Sequence, residues 1–155
     1  MAAASLVATA LGIILLLVTG YVLVGGALTS SQVMMEAQKD MTAAQVEMLG
    51  TGMEIQGVST SPLYIQVLNS GNIPILDFDH IDIFLFQSGA NPTRIEYSSG
   101  GEVNTWKKVD INPDAIYRNQ WDPGEVLNIS VTYSGPTPGA VQITTANGVS
   151  AYYTV

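Results

Sequence analysis

The sequence predicts an α+β protein: a long hydrophobic N-terminal α-helix over residues 1–52, followed by an antiparallel β-sandwich over residues 53–155. Three observations predict it. No charged side chain occurs before Glu36. Apolar and small residues then recur at spacings of three and four as far as Gly50-Thr51-Gly52. Beyond that break, glycine and proline punctuate short runs in which polar and apolar residues alternate.

The apolar run Ala2–Leu28 exceeds the ~20 residues that cross a bilayer core. As a helix it is a rod of about 40 Å at about 1.5 Å per residue. A chain of 155 residues has no core large enough to hide such a rod. It therefore sits in a membrane or among copies of itself. No basic residue precedes it, so it is unlike a secretory signal. Gly12, Gly20, Gly25 and Gly26 lie within it, and small residues let neighbouring helices approach closely. Gly12 and Gly20 are the candidate packing positions of this part.

The helix continues past Leu28, because Thr29–Ile55 contains no proline. Met34, Ala37, Met41, Ala44, Met48, Thr51 and Ile55 form a heptad-like stripe, with Glu36, Gln38, Lys39, Asp40, Gln45 and Glu47 off it. Methionine and alanine make an adaptable seam. It packs either on the chain's own β-domain or on a partner helix. The helix is expected from near residue 3 to about residue 50, with Gly50 and Gly52 as the stop.

Strands are expected at about 53–58, 62–69, 79–87, 93–97, 104–109, 125–133, 139–145 and 149–155. Leu63, Ile65 and Val67 share one face of the second, and Leu127, Ile129, Val131 and Tyr133 one face of the sixth. Phe84, Leu85 and Phe86 make the third apolar on both faces, which marks a central strand. The connection 110–121 has room for a helical turn around Pro113–Ala115. Eight short strands over about 100 residues suit an Ig-like sandwich. No second domain or internal repeat is evident.

Composition excludes several functions. The formal charge is −8, with 13 acidic and 5 basic residues, so a basic surface for nucleic acid is absent. Lys107–Lys108 is the lone basic pair and reads as solvated strand. There is no cysteine, hence no disulfide, thiol chemistry or Cys-based metal site. His80 is the single histidine, and no Gly-x-Ser-x-Gly accompanies it. An enzyme is not expected, and no cofactor is implied. Asp77, Asp79 and Asp82 are the best cation candidates, with Asp77 and Asp79 on one side if the segment is a strand. They lack the glycine and closing glutamate of an EF-hand loop, and a polar loop entering a strand is the favoured reading of them.

Asn128-Ile129-Ser130 is an N-glycosylation sequon, and the alternation turns Asn128 outward. Partner contacts are expected from the loops Gln87–Pro92, Ser98–Asn104 and Ser134–Gly139, with Glu102 and Asp122 as acidic contact residues.

Three segments carry a resemblance to a known family. The first is the uncharged helix with its extension, SSQVMMEAQKDMTAAQVEMLGTGMEI. The second is Ile65-Gln-Val-Leu-Asn-Ser-Gly71 with Ile75-Leu-Asp77 and His80-Ile-Asp-Ile-Phe84. The third is Trp121-Asp-Pro-Gly-Glu-Val-Leu-Asn-Ile-Ser130. Together they resemble the archaeal class III pilin-like superfamily, and within it the minor archaellum (archaeal flagellum) proteins of the F/G type, relatives of the archaellins. Archaellins are made with a charged leader; none is visible before Met1, which favours the F/G type. The resemblance implies a non-catalytic motility component of the cell envelope. Its helix lies in the membrane, and its extracytoplasmic sandwich binds the surface layer (S-layer) or other archaellum subunits at the filament base. The alternative is a filament-forming subunit whose helices pack into a helical core. A sandwich enzyme or sugar-binding domain on a membrane tether is a third reading.

Overall fold

The computed structural model describes residues 2–155; Met1, which the sequence reading includes in the helical segment, lies outside the described residues. The chain divides into two compact units between Ala43 and Ala44.

The first unit is helix α1 (Ala2–Gly50) up to the division. Its length follows from the absence of proline. Polar side chains within it return to their own helix: the hydroxyl of Thr19 donates to the Leu15 carbonyl at 2.8 Å, and that of Thr29 to Gly25 at 3.0 Å. Such bonds keep these two hydroxyls paired in an apolar surrounding. Every side chain from Leu6 to Leu49 is exposed. The helix is long and apolar enough to cross a membrane.

The second unit carries the last turn of α1 and eight strands. They are β1 (Met53–Thr60), β2 (Leu63–Asn69), β3 (Asp82–Gln87), β4 (Thr93–Tyr97), β5 (Thr105–Asn112), β6 (Val126–Thr132), β7 (Pro138–Thr144) and β8 (Ser150–Thr154). Their order is β1-β2-β6-β5-β4-β3-β7-β8. β1-β2-β6-β5 forms one layer and β4-β3-β7-β8 the other. Neighbours are antiparallel except β4 and β5, which meet in a short parallel pairing of Glu96 with Thr105 and Tyr97 with Trp106. β1 and β8 also come together, so the sandwich approaches a closed barrel. β3 lies between β4 and β7, the central position expected of its apolar sequence.

The alternation of β2 and β6 builds the core. Leu63, Ile65 and Val67 are buried, as are their partners Val131, Ile129 and Leu127. Ile83, Leu85, Ile95, Val141 and Ile143 face them from the other layer. Each such side chain contributes about 1.5–3 kcal/mol by leaving water. Trp106 and Trp121 are also buried, and each indole N–H has a carbonyl partner: Ile81 at 3.1 Å and Glu125 at 2.9 Å. Among the described residues no buried side-chain nitrogen or oxygen lacks a hydrogen bond.

Besides the parallel β4–β5 pairing and shifts of one or two residues at strand ends, the structure departs from the sequence reading as follows. The strand expected from residue 79 begins at Asp82, because the Ile81 amide donates to the Phe78 carbonyl at 3.1 Å and closes a turn. The strand expected to end at 109 runs to Asn112 through a bulge that shifts the register between Lys108 and Asp110. No helical turn forms at Pro113–Ala115, where the amide of Ala115 is held by the Glu125 carboxylate instead. The seven-residue stripe ends as helix at Met48: Thr51 and Ile55 are buried in the sandwich unit.

Candidate functional site

Among the described residues the helix carries the largest run of exposed apolar side chains. Met34 is 62% exposed, Met41 65% and Met48 49%, and Ala37 and Ala44 are exposed with them. A Cβ at Gly12 or Gly20 would meet nothing within 4 Å, so both present bare backbone to whatever surrounds the helix. These positions are open to a second helix or to lipid.

In the second unit, the last turn of α1 is tied to the strand ends. Thr51 caps it through its amide and hydroxyl, both donated to the Glu47 carbonyl. The Asn72 amide donates to the Gly50 carbonyl at 2.7 Å, and Ser70 to Gly52 at 3.0 Å. The side-chain amide of Asn147, in the β7–β8 turn, donates to the Thr51 hydroxyl at 2.6 Å. Gly71 fits here because a Cβ would collide with the Gly50 carbonyl oxygen and the Gly52 amide.

Next to this junction lies a buried polar network. Asn69 ends β2 with no exposed surface. Its side-chain amide donates to the carbonyls of Trp121 (2.8 Å) and Ile73 (3.0 Å), and its oxygen accepts the Gly71 amide at 3.0 Å. Glu125 accepts the Ala115 amide at 2.9 Å and the Asp122 amide at 3.1 Å. Asp122 accepts the Tyr117 amide at 2.9 Å. Asp122 and Glu125 are each 2% exposed. This corrects the expectation that Asp122 meets a partner: its carboxylate is spent on holding the 113–120 loop.

The aspartates proposed for a cation do not converge. Asp77 faces His80 Nδ1 at 2.8 Å, and Asp82 is paired with Arg94 at 2.9 Å. Among the described residues no group of three or more metal-ligating side chains forms. Hydrogen bonding to Asp77 and its charge, with smaller contributions from Asp79 and Asp82, hold the His80 imidazole above its ordinary range. Arg94 also bonds Glu96 at 2.8 Å. The Lys108 ammonium of the basic pair sits 4.5 Å from the Phe78 ring centre, a cation–π contact.

At the other end of the strands, two of the expected contact loops are joined. Gln87 is buried rather than exposed, and its amide donates to the Ser134 and Pro136 carbonyls at 3.0 and 2.6 Å. The Asn104 side chain accepts the Ser134 amide at 3.3 Å, which brings in the third loop. Glu102 is exposed, and the Ser98 hydroxyl bonded to it lowers its carboxyl below the usual range. It is the one charged residue of the three loops. The structural roles of Asn69, Gln87 and Asn147 were not anticipated from sequence; an amide beside a Gly or Pro turn was the available signal for each.

Asn128 lies on the outer face of β6, half-buried, with its side-chain oxygen accepting from the Gln66 amide at 3.1 Å. It borders a groove of about 580 Å³ across β1, β2, β6 and β5.

These features define a helix-tethered β-sandwich protein whose polar networks hold loops and whose open surfaces are a helix, a loop end and a groove. Its fold is found in solved proteins. The chain is similar to the archaellum periplasmic stator protein FlaG from Sulfolobus acidocaldarius, with a TM-score of 0.53 and 22% identity over 68% of this chain and 99% of that one. It is also similar to a chain in the archaellum periplasmic stator protein complex FlaF and FlaG from the same organism, with a TM-score of 0.53 and 19% identity over 66% and 87% of the two chains. No family model matches the sequence, and no curated protein matches it. At these identities the likeness establishes the fold.

Proposed function

We propose that the chain is a non-enzymatic structural component of archaellum machinery. Helix α1 anchors it in the membrane, and the sandwich lies outside the cytoplasm, where it binds the surface layer or another archaellum subunit. The observation that carries this reading is an uncharged, fully exposed helical run joined to a sandwich of the same fold as archaellum stator proteins. An apolar helix with no face covered by protein needs lipid or other helices. The buried side chains of Asn69, Asp122 and Glu125 are taken up in holding loop backbone, which supports a structural role for this network. The partner-facing end is assigned to the joined loops around Gln87, Ser134 and Asn104, the end away from the helix junction.

A second reading is a filament subunit whose helices pack through Gly12, Gly20 and the Met34–Met48 stripe. Their exposure favours it as well. Quantifying the chain by mass spectrometry in membranes and in sheared filaments of the source cells separates the two. The anchor reading expects it in the membrane fraction at low copy. Abundance in sheared filaments would replace that reading with the filament subunit.

A further inference from the structure

We infer that Asn128 is an N-glycosylation site and that the groove beside it seats the first sugars of the attached glycan. The inference rests on the extracytoplasmic placement proposed above.

The sequon Asn128-Ile129-Ser130 sits in β6 with Ile129 buried and both polar residues on the outer face. The bond from Gln66 fixes the Asn128 oxygen as an acceptor. Its amide nitrogen, the atom that is glycosylated, makes no hydrogen bond among the described residues and is left to the groove.

The groove is an open concavity on the outer face of the sheet. β1 and β5 each carry a bulge, one between Ile55 and Gly57 and one between Lys108 and Asp110. Bulges bend strands and raise local twist. The concavity between them holds about 580 Å³, within the ~300–1,000 Å³ of small-molecule sites. Tyr64, 42% exposed, offers an aromatic face to sugar C–H groups, with Val109, 52% exposed, as an apolar wall. Asp110 and the Tyr64 hydroxyl have no partner among the described residues and suit sugar hydroxyls. An aromatic plate, an amide and a carboxylate are the groups that recognise a saccharide.

The donor is an oligosaccharide on a lipid phosphate, transferred by a membrane transferase. Asn128 Nδ2 bonds to the anomeric carbon and gives up one proton. The bond from that carbon to the phosphate oxygen breaks, and the lipid phosphate leaves with the electron pair. Because β6 is paired on both edges, transfer occurs before the sheet closes.

The test is peptide mass spectrometry of the full-length protein purified from its source cells. The peptide containing Asn128 should carry a saccharide mass. Asn128→Gln and Ser130→Ala should remove it, and Ser130→Thr, which preserves the sequon, should retain it. Protease treatment of intact cells in parallel reports where the sandwich lies. An outside sandwich with bare Asn128 overturns the inference and leaves the functional reading standing. A sandwich protected inside the cell overturns both.

Discussion

The side-chain amide of Asn69 donates to the Trp121 carbonyl at 2.8 Å, which joins the end of β2 to the segment that opens β6. The same asparagine fixes Ile73 and Gly71, and its main-chain carbonyl takes the Gly124 amide at 2.8 Å. Gly124 has φ 84°, a left-handed turn that suits glycine. Two of the sequence segments that suggested a family are therefore the two halves of one clasp. Replacing Asn69 by Ala takes the partner from the Ile73 carbonyl and the Gly71 amide, each costing about 1–3 kcal/mol, while the Trp121 carbonyl keeps the Ile75 amide. The expected loss is about 3 kcal/mol of stability, seen in urea or thermal unfolding of the sandwich. A loss below about 1 kcal/mol would refute the clasp.

Gly71→Ala tests the neighbouring contact. Its Cβ would strike the Gly50 carbonyl and the Gly52 amide, both of them backbone atoms. Overpacking costs about 1–3 kcal/mol. Amide exchange should rise first at Ser70 and Asn72, whose amides bond Gly52 and Gly50.

Alternation made most of the fold legible. Leu63-Ile65-Val67 and Leu127-Ile129-Val131 alternate cleanly because one face of their layer meets the core and the other meets water. The helix was legible from its uncharged run and the Gly50-Thr51-Gly52 stop. The site was less so. Asp122 and Glu125 look like surface acids in sequence, and only the fold of 113–125 reveals that backbone amides satisfy them. The Asp77–Asp82 segment offers cation candidates in sequence because its spacing hides the separate partners His80 and Arg94. The short β4–β5 parallel pairing left no periodic trace.

His80 gives a pH readout. Asp77 holds its pKa above the ordinary 6.5. A raised folded-state value means the ion pair contributes below the unfolded pKa and is lost as pH rises through the folded one. The pair is exposed, so the effect on stability is small. As the single histidine, His80 can be followed by NMR without assignment. Its midpoint should lie above 6.5 and fall in Asp77→Asn. A midpoint unchanged by that substitution would remove the pair.

Met41→Glu probes the helix stripe. Met41 is 65% exposed, so a carboxylate there meets only solvent if the stripe has no partner. If Met34, Ala37, Met41, Ala44 and Met48 pack against another helix, an unpaired buried charge is costly. Cross-linking of the full-length protein in membranes should then lose its product, while the sandwich keeps its unfolding transition. Unaltered cross-linking would show a stripe facing water or headgroups.

The junction between helix and sandwich sets where the chain can be cut. The sandwich supplies its own core from Ile65, Leu85, Trp106, Ile129 and Ile143, so it should fold without the apolar run. Its compact unit nevertheless begins at Ala44, before the first strand. Glu47 accepts the Thr51 cap, Gly50 accepts Asn72, and Asn147 reaches Thr51 from the β7–β8 turn. A chain beginning at Met53 loses all three and frees the 70–73 and 145–149 segments. Chains 44–155 and 53–155 should both be soluble and β-rich by circular dichroism. The longer one should be more stable by about 2–3 kcal/mol, from hydrogen bonds worth about 0.5–1.5 kcal/mol each. Equal stabilities would mean that the last helical turn is not part of the sandwich's folding unit. A helical or disordered spectrum for 44–155 would mean that the strands need the apolar helix to fold.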